Sequence, residues 1–174
     1  MEQRRVRPAD CGGLVPNGSA LAPTIRPLGP QHAAELSQLF LRLEATARVS
    51  RFGLATNNAY LAAYAARALA EATWILGAFV DDSLRGLVEI YGDAPLGFAE
   101  AAFVVDQEWR RRGLAWALLC AATDVAAEGP AHTLRMMFSR HNWPMRGLAT
   151  KAGSRLDLFH DELVADVVLC RTTD

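Results

Sequence analysis

The sequence predicts a single domain of mixed α/β class, and three observations lead there. Hydrophobic residues make up 51% of the 174 residues, enough to build one sizeable core. Strand-like apolar runs and helix-spaced apolar positions interleave in the order strand, two helices, three strands, helix, strand, helix, two strands. No internal repeat divides the chain. The expected division is a flexible leader over residues 1–23, rich in Arg, Gly and Pro without a sustained period, and one domain over 24–174.

Each element has a local reason. Thr24 to Leu28 reads as a short edge strand, because Pro27 lacks the donor that a central strand needs. Leu36, Leu39, Phe40 and Leu43 repeat at helical spacing within a helix expected from Gln31 to about Thr46. Ser50, Arg51 and Phe52 then lead to Asn57 or Asn58, an N-cap for an alanine-rich helix ending near Ala70. Trp74 to Val80 and Leu84 to Tyr91 form a hairpin around Asp81, Asp82 and Ser83. A third strand, from about Ala99 to Val105, precedes a basic turn and a helix that stops at Gly129 and Pro130. Thr133 to Phe138 is the next strand. A helix follows Asn142, with Pro144 tolerated in its first turn, and ends at Gly153. Leu156 to Phe159 and Leu163 to Leu169 close the chain around His160 and Asp161.

Charge and cysteines narrow the function classes. A formal net charge of -1 gives no general attraction to nucleic acid or acidic membranes, so any anion must be held by a local patch. Cys11, Cys120 and Cys170 are odd in number and lack zinc-ligand spacing. Neither a disulfide framework nor a metal is expected, and His132, His141 and His160 read as surface residues. The early arginines are followed by Gly, Pro, Asn and Ser rather than by the apolar core of a signal peptide, and no apolar run reaches membrane-spanning length. A cytoplasmic location is expected.

The most informative stretch is Phe98 to Leu119, where a strand, a basic turn and a helix adjoin. Leu114, Leu118, Ala121, Ala122 and Val125 keep helical spacing, so Arg110, Arg111, Arg112 and Gly113 fall at a helix N-terminus. There the first N–H groups have no helical acceptor and the helix dipole favours an anion. Gly113 permits close approach to the backbone and Ala115 is the next smallest choice. Such a turn suits a pyrophosphate. Neither dinucleotide-binding nor P-loop glycine patterns occur.

Arg110-Arg111-Arg112-Gly113-Leu114-Ala115 resembles the Q/R-x-x-G-x-G/A signature of the GNAT superfamily of acyl-CoA-dependent N-acyltransferases. The stretch around Glu100, thirteen residues before Gly113, resembles the strand-borne glutamate of that superfamily's protein lysine acetyltransferases. Asn142, Met145, Leu148, Ala149, Lys151 and Gly153 are similar to its next helix. The resemblance implies a mostly antiparallel twisted sheet with helices on both faces and one splayed strand pair, the strand of Glu100 and the strand near Thr133, with the pantetheine arm of acetyl-CoA in the gap.

It implies roles as well. Acyl transfer requires a neutral amine, and a lysine amine with a pKa of about 10.4 must first lose its proton. Glu100, shielded by Phe98 and Phe103, is the expected general base, directly or through water, with Glu89 a weaker alternative that reads as solvent-facing. The backbone near Val104 and Val105 is expected to bind pantetheine and stabilise negative charge on the thioester oxygen. Arg110 through Trp116, including Leu114, would hold the pyrophosphate. Asn142 would cap its helix and also bond pantetheine. Trp109 and Trp116 would cover the adenine or seal the core, and Trp143 is expected to pack. Many relatives carry a tyrosine in this last helix to protonate the CoA thiolate, whereas Asn142 to Gly153 contains none, leaving Ser139 or water as the acid. The expected acceptor is an amine, on a protein lysine or a small molecule. A homodimer is left open. The alternatives are a noncatalytic acyl-CoA sensor or interaction domain and, resting on the arginine triplet alone, a nucleic-acid-binding module.

Overall fold

The computed structural model describes residues 23–93 and 96–170; apart from Pro23, the expected leader lies outside them. One seven-stranded sheet runs through the domain in the order β1-β2-β3-β4-β5-β7-β6. Its strands are β1 (Thr24–Pro27), β2 (Trp74–Val80), β3 (Ser83–Asp93), β4 (Phe98–Val105), β5 (Thr133–Ser139), β6 (Arg155–Phe159) and β7 (Glu162–Val168). Five α-helices pack on it: α1 (Ala33–Leu41), α2 (Ala45–Phe52), α3 (Asn58–Glu71), α4 (Leu114–Ala127) and α5 (Trp143–Lys151).

Alternation along the strands divides the core between the two sheet faces. Ala99, Ala101 and Phe103 of β4, and Leu134, Met136 and Phe138 of β5, pack with α4 and α5. Leu87 and Val104 face the other way, where Leu36, Leu39 and Phe40 of α1 and Leu61 and Ala65 of α3 cover them. The β2–β3 hairpin turns through Asp81 and Asp82, both at positive φ, a conformation that acidic side chains tolerate. Asn57 caps α3 by accepting from the Tyr60 N–H at 2.8 Å.

All strand pairs but one are antiparallel. The parallel pair β4–β5 is short, with Phe98 opposite Thr133, Ala99 opposite Leu134 and Glu100 opposite Arg135. Beyond these positions β4 continues to Val105 paired with β3, and β5 continues to Ser139 paired with β7. The strands diverge after Glu100 and Arg135, and the gap between them widens towards the C-terminal end of β4. This is the splay the resemblance implied.

The first helical region differs from expectation. Instead of one helix from Gln31 to Thr46, α1 ends at Leu41 and a separate helix, α2, runs to Phe52 and stops at Gly53, which is left-handed at φ 74°. No residue of α2 is fully buried, and no Gly or Pro separates it from α1, so the break between the two helices leaves no mark in the sequence. Its C-terminal end is fixed by aromatic contacts. Phe52 meets Phe40 and Tyr64 edge-on, with ring centroids 5.6 and 5.0 Å away.

Candidate active site

The turn after β4 has the form of an anion cradle. After Val105 the chain makes a single 3-10 turn over Gln107–Trp109 and enters Arg110 in extended conformation. Arg111 follows at φ 58° and Gly113 at φ 86°. Left-handed geometry costs an arginine energy that it does not cost a glycine. The first intrahelical bond of α4 runs from the Ala117 N–H to the Gly113 carbonyl at 3.0 Å. The N–H groups of Leu114, Ala115 and Trp116 therefore have no helical acceptor, and they stand at the positive end of the helix dipole.

The three arginines behave differently from one another. Arg110 donates from Nη1 to Glu44 at 2.9 Å and from Nε to the Val105 carbonyl at 3.4 Å. Arg112 lies 4.8 Å from the Trp109 ring centroid, and Arg85 lies 5.6 Å from the same ring. Among the described residues Arg111 makes no ion pair, and it is exposed beside the free helix N–H groups. Asp106, which sequence reasoning missed, anchors the turn from below: it is buried and accepts from Arg42 at 2.9 Å and Arg85 at 3.4 Å.

The side chain of Trp116 lies in the core, with the Lys151 ammonium 4.0 Å from its ring centroid. It can serve an anion through its backbone only. Trp143, expected to pack, is 67% exposed, with the Arg146 guanidinium 5.4 Å from its ring centroid. Asn142 caps α5 by accepting from the Met145 N–H at 3.2 Å, while its Nδ2 donates to Ser50 Oγ at 3.3 Å. Ser139, at the end of β5, accepts from the His141 N–H at 3.3 Å.

Glu100 sits at the vertex of the gap, opposite Tyr91 on β3 and Arg135 on β5. Its carboxylate is exposed, and the expected apolar shield is not assembled. Strand alternation sends Phe103 into the core on the opposite face, and the Phe98 ring lies 4.1 Å beneath the Arg135 guanidinium. Arg135 donates twice to Asp166, at 2.8 Å each. Those bonds hold its pKa above the ordinary value, and Glu100 adds to that rise. A charged row Glu100, Arg135, Asp166 thus crosses three adjacent strands on one face.

Glu89 departs most from the sequence reading. Rather than facing solvent, it is fully buried, because α2 and α3 cover the face of β3 on which it stands. Its Oε2 accepts from Arg51 at 2.7 Å, from the Tyr64 hydroxyl at 2.6 Å and from the Tyr91 hydroxyl at 3.1 Å. Burial, reinforced by the Glu89 charge, pushes the Tyr64 phenol up to about 12 and raises Tyr91 as well. Both phenols donate to Glu89. Burial lowers the Arg51 pKa, but Glu89 and Tyr64 outweigh it and the net shift is upward. Glu89 is the centre of a buried hydrogen-bonded hub.

Among the described residues no group of three or more metal-binding side chains occurs, and no helix is long and apolar enough to cross a membrane. No curated protein matches the chain by sequence. Solved structures do match in fold. The GNAT domain of S. lividans PAT is 19% identical with a TM-score of 0.72, over 84% of this chain and 90% of that one. An acetyl transferase from Salmonella typhimurium, which modifies the N-terminal serine of a 50S ribosomal subunit protein, is 14% identical with a TM-score of 0.72, over 87% and 97%. An N-acetyltransferase from Thermoplasma acidophilum, solved with coenzyme A, is 16% identical with a TM-score of 0.65, over 85% and 99%. Residues 24–155 match the family model described as an acetyltransferase (GNAT) domain, and with that match across most of the chain, the protein belongs to the GNAT acetyltransferase family.

Proposed function

We propose that this protein transfers an acetyl group from acetyl-CoA to a primary amine, on a protein lysine or a small molecule, with Glu100 as the general base. The observation that carries the reading is the continuity of gap and cradle: β4 leaves β5 just after Glu100 and leads, nine residues after Val105, into the free N–H groups that begin at Leu114 of α4. The fit to acetyl-CoA is physical. A pyrophosphate accepts from the backbone of Gly113 to Trp116 and pairs with Arg111, and the amide-rich pantetheine arm lies along the edge of β4 that has no strand beside it near Val104 and Val105.

In the reaction the amine nitrogen attacks the thioester carbonyl, the carbon–sulfur bond breaks, and CoA leaves as a thiolate that takes a proton. Glu100 removes the proton from the amine, directly or through water, and its exposure on the α2–α3 side lets an acceptor reach it without passing through the cofactor gap. Backbone N–H groups of β4 stabilise the charge that develops on the thioester oxygen. With no tyrosine in α5 and both nearby phenols held by Glu89, water supplies the thiolate's proton.

The first test is calorimetric titration with acetyl-CoA, CoA and dephospho-CoA. Wild type is expected to bind acetyl-CoA and CoA in the micromolar range, and an Arg111→Ala/Gly113→Glu variant at least about tenfold more weakly, since it removes a cation and places a carboxylate at a left-handed position in the anion site. No binding by folded wild type would sink the acyltransferase reading. The missing tyrosine favours the sensor reading, and tight CoA binding without turnover against a panel of amines would decide for it.

A further inference from the structure

Helix α2 holds, from outside, one side chain on each wall of the proposed cofactor gap. Its N-cap residue Glu44 pairs with Arg110 of the turn after β4 at 2.9 Å. Near its other end, Ser50 accepts from Asn142 at the start of α5 at 3.3 Å. Arg110 and Asn142 are both residues assigned to the cofactor, and both are already engaged. One of the two N–H donors of Asn142 Nδ2 goes to Ser50, and its Oδ1 caps the helix. For Arg110, Nη1 donates to Glu44 and Nε to the strand backbone, which leaves Nη2 without a described partner but the guanidinium charge already neutralised by the carboxylate.

A carboxylate is also the wrong charge for this place. Glu44 neutralises a guanidinium at the mouth of an anion site, and an incoming pyrophosphate meets repulsion from it. The pair is 36% and 40% exposed, hence weak and exchangeable. Glu44 makes no side-chain capping bond of its own, so its side chain has no other described partner to hold it in place.

The two ends of α2 are anchored unequally. At the C-terminal end, Arg51 reaches the buried Glu89 and Phe52 packs on Phe40 and Tyr64. No α2 residue is buried, and Val49 is 46% exposed. The N-terminal half is held by the Glu44 pair, by the half-buried Ala47 and by bonds from Arg48 to the carbonyls of Leu41 and Leu43 and to Asn58, with no large apolar side chain of its own buried.

We propose that α2 is a latch on the cofactor gap. Glu44 and Ser50 occupy Arg110 and Asn142 until acetyl-CoA arrives, and cofactor binding exchanges those contacts, releasing the N-terminal half of α2 about its Arg51–Phe52 anchor. The inference rests on the cofactor site proposed above.

The test uses the full chain and CoA. Glu44→Gln removes the charge and is expected to bind CoA about three- to fivefold more tightly, the scale of one exposed ion pair. Ser50→Ala in the same chain adds a smaller gain. Hydrogen exchange on wild type reads the motion: CoA is expected to speed exchange over residues 45–50 and leave α3 unchanged. CoA binding unchanged or weakened in Glu44→Gln would overturn the latch, and so would exchange over 45–50 that is unchanged or slowed. Failure of both wild type and Glu44→Gln to bind CoA would instead overturn the cofactor site itself, so the two failures are distinguishable.

Discussion

Glu100→Gln is expected to lower kcat by about 10²- to 10⁴-fold, the range for removing a general base, while CoA affinity stays within about twofold because the cradle is untouched. Glutamine keeps the size and the hydrogen-bonding oxygen but cannot accept a proton. Glu100 is exposed and its neighbours in register are Tyr91 and Arg135, so the substitution leaves no buried charge unpaired and the variant should melt within a degree or two of wild type. Steady-state rates against an amine that wild type acetylates, with calorimetric CoA titration of the same samples, check both halves. A kcat within threefold of wild type would remove Glu100 from proton transfer and leave the chemistry to amines already neutral at the working pH.

The turn that carries this reading was legible because its physics is local. A strand, a basic run, a small residue and a helix in succession place free N–H groups beside arginines whatever the rest of the chain does, and β4, α4 and α5 start and stop near their expected residues. The gap was legible only through the family resemblance, since divergence of β4 from β5 depends on which strand pairs with which and leaves no periodic trace. Glu89 was misread for a related reason. In Leu87-Val88-Glu89-Ile90-Tyr91 the alternation sets Glu89 on the face away from Val88 and Ile90, and that face is ordinarily solvated when it carries a carboxylate. Here α2 and α3 cover it and supply Arg51 and Tyr64 as partners. The separate α2 was missed because residues 42–44, which divide it from α1, contain neither Gly nor Pro to mark the break. The uneven roles of Arg110, Arg111 and Arg112 were hidden too, because Glu44 and Trp109 become their partners only in the folded chain.

The buried hub makes the largest stability prediction. Arg51→Met is expected to cost about 3 kcal/mol, the low end for removing one partner of a buried ion pair, since Arg51 retains 17% side-chain exposure while Glu89 has none. The loss comes mostly from the carboxylate left behind: Oε1 of Glu89 already has no protein partner, and removing Arg51 takes its charge compensation from Oε2. Among the described residues, Tyr64 and Tyr91 would remain as its donors. Urea unfolding of wild type and variant at pH 7 reads the difference, and a loss below 1 kcal/mol would show that water reaches Glu89 freely. The same hub fixes an alkaline limit. Because the Tyr64 phenol is raised from 10.0 to about 12 on folding, chiefly by burial and then by Glu89, its contribution is fully present below pH 10 and is lost as the pH rises towards 12. In Tyr64→Phe that part of the alkaline slope should disappear, and an unchanged slope between pH 10 and 12 would mean that the phenol is not held by the carboxylate in solution.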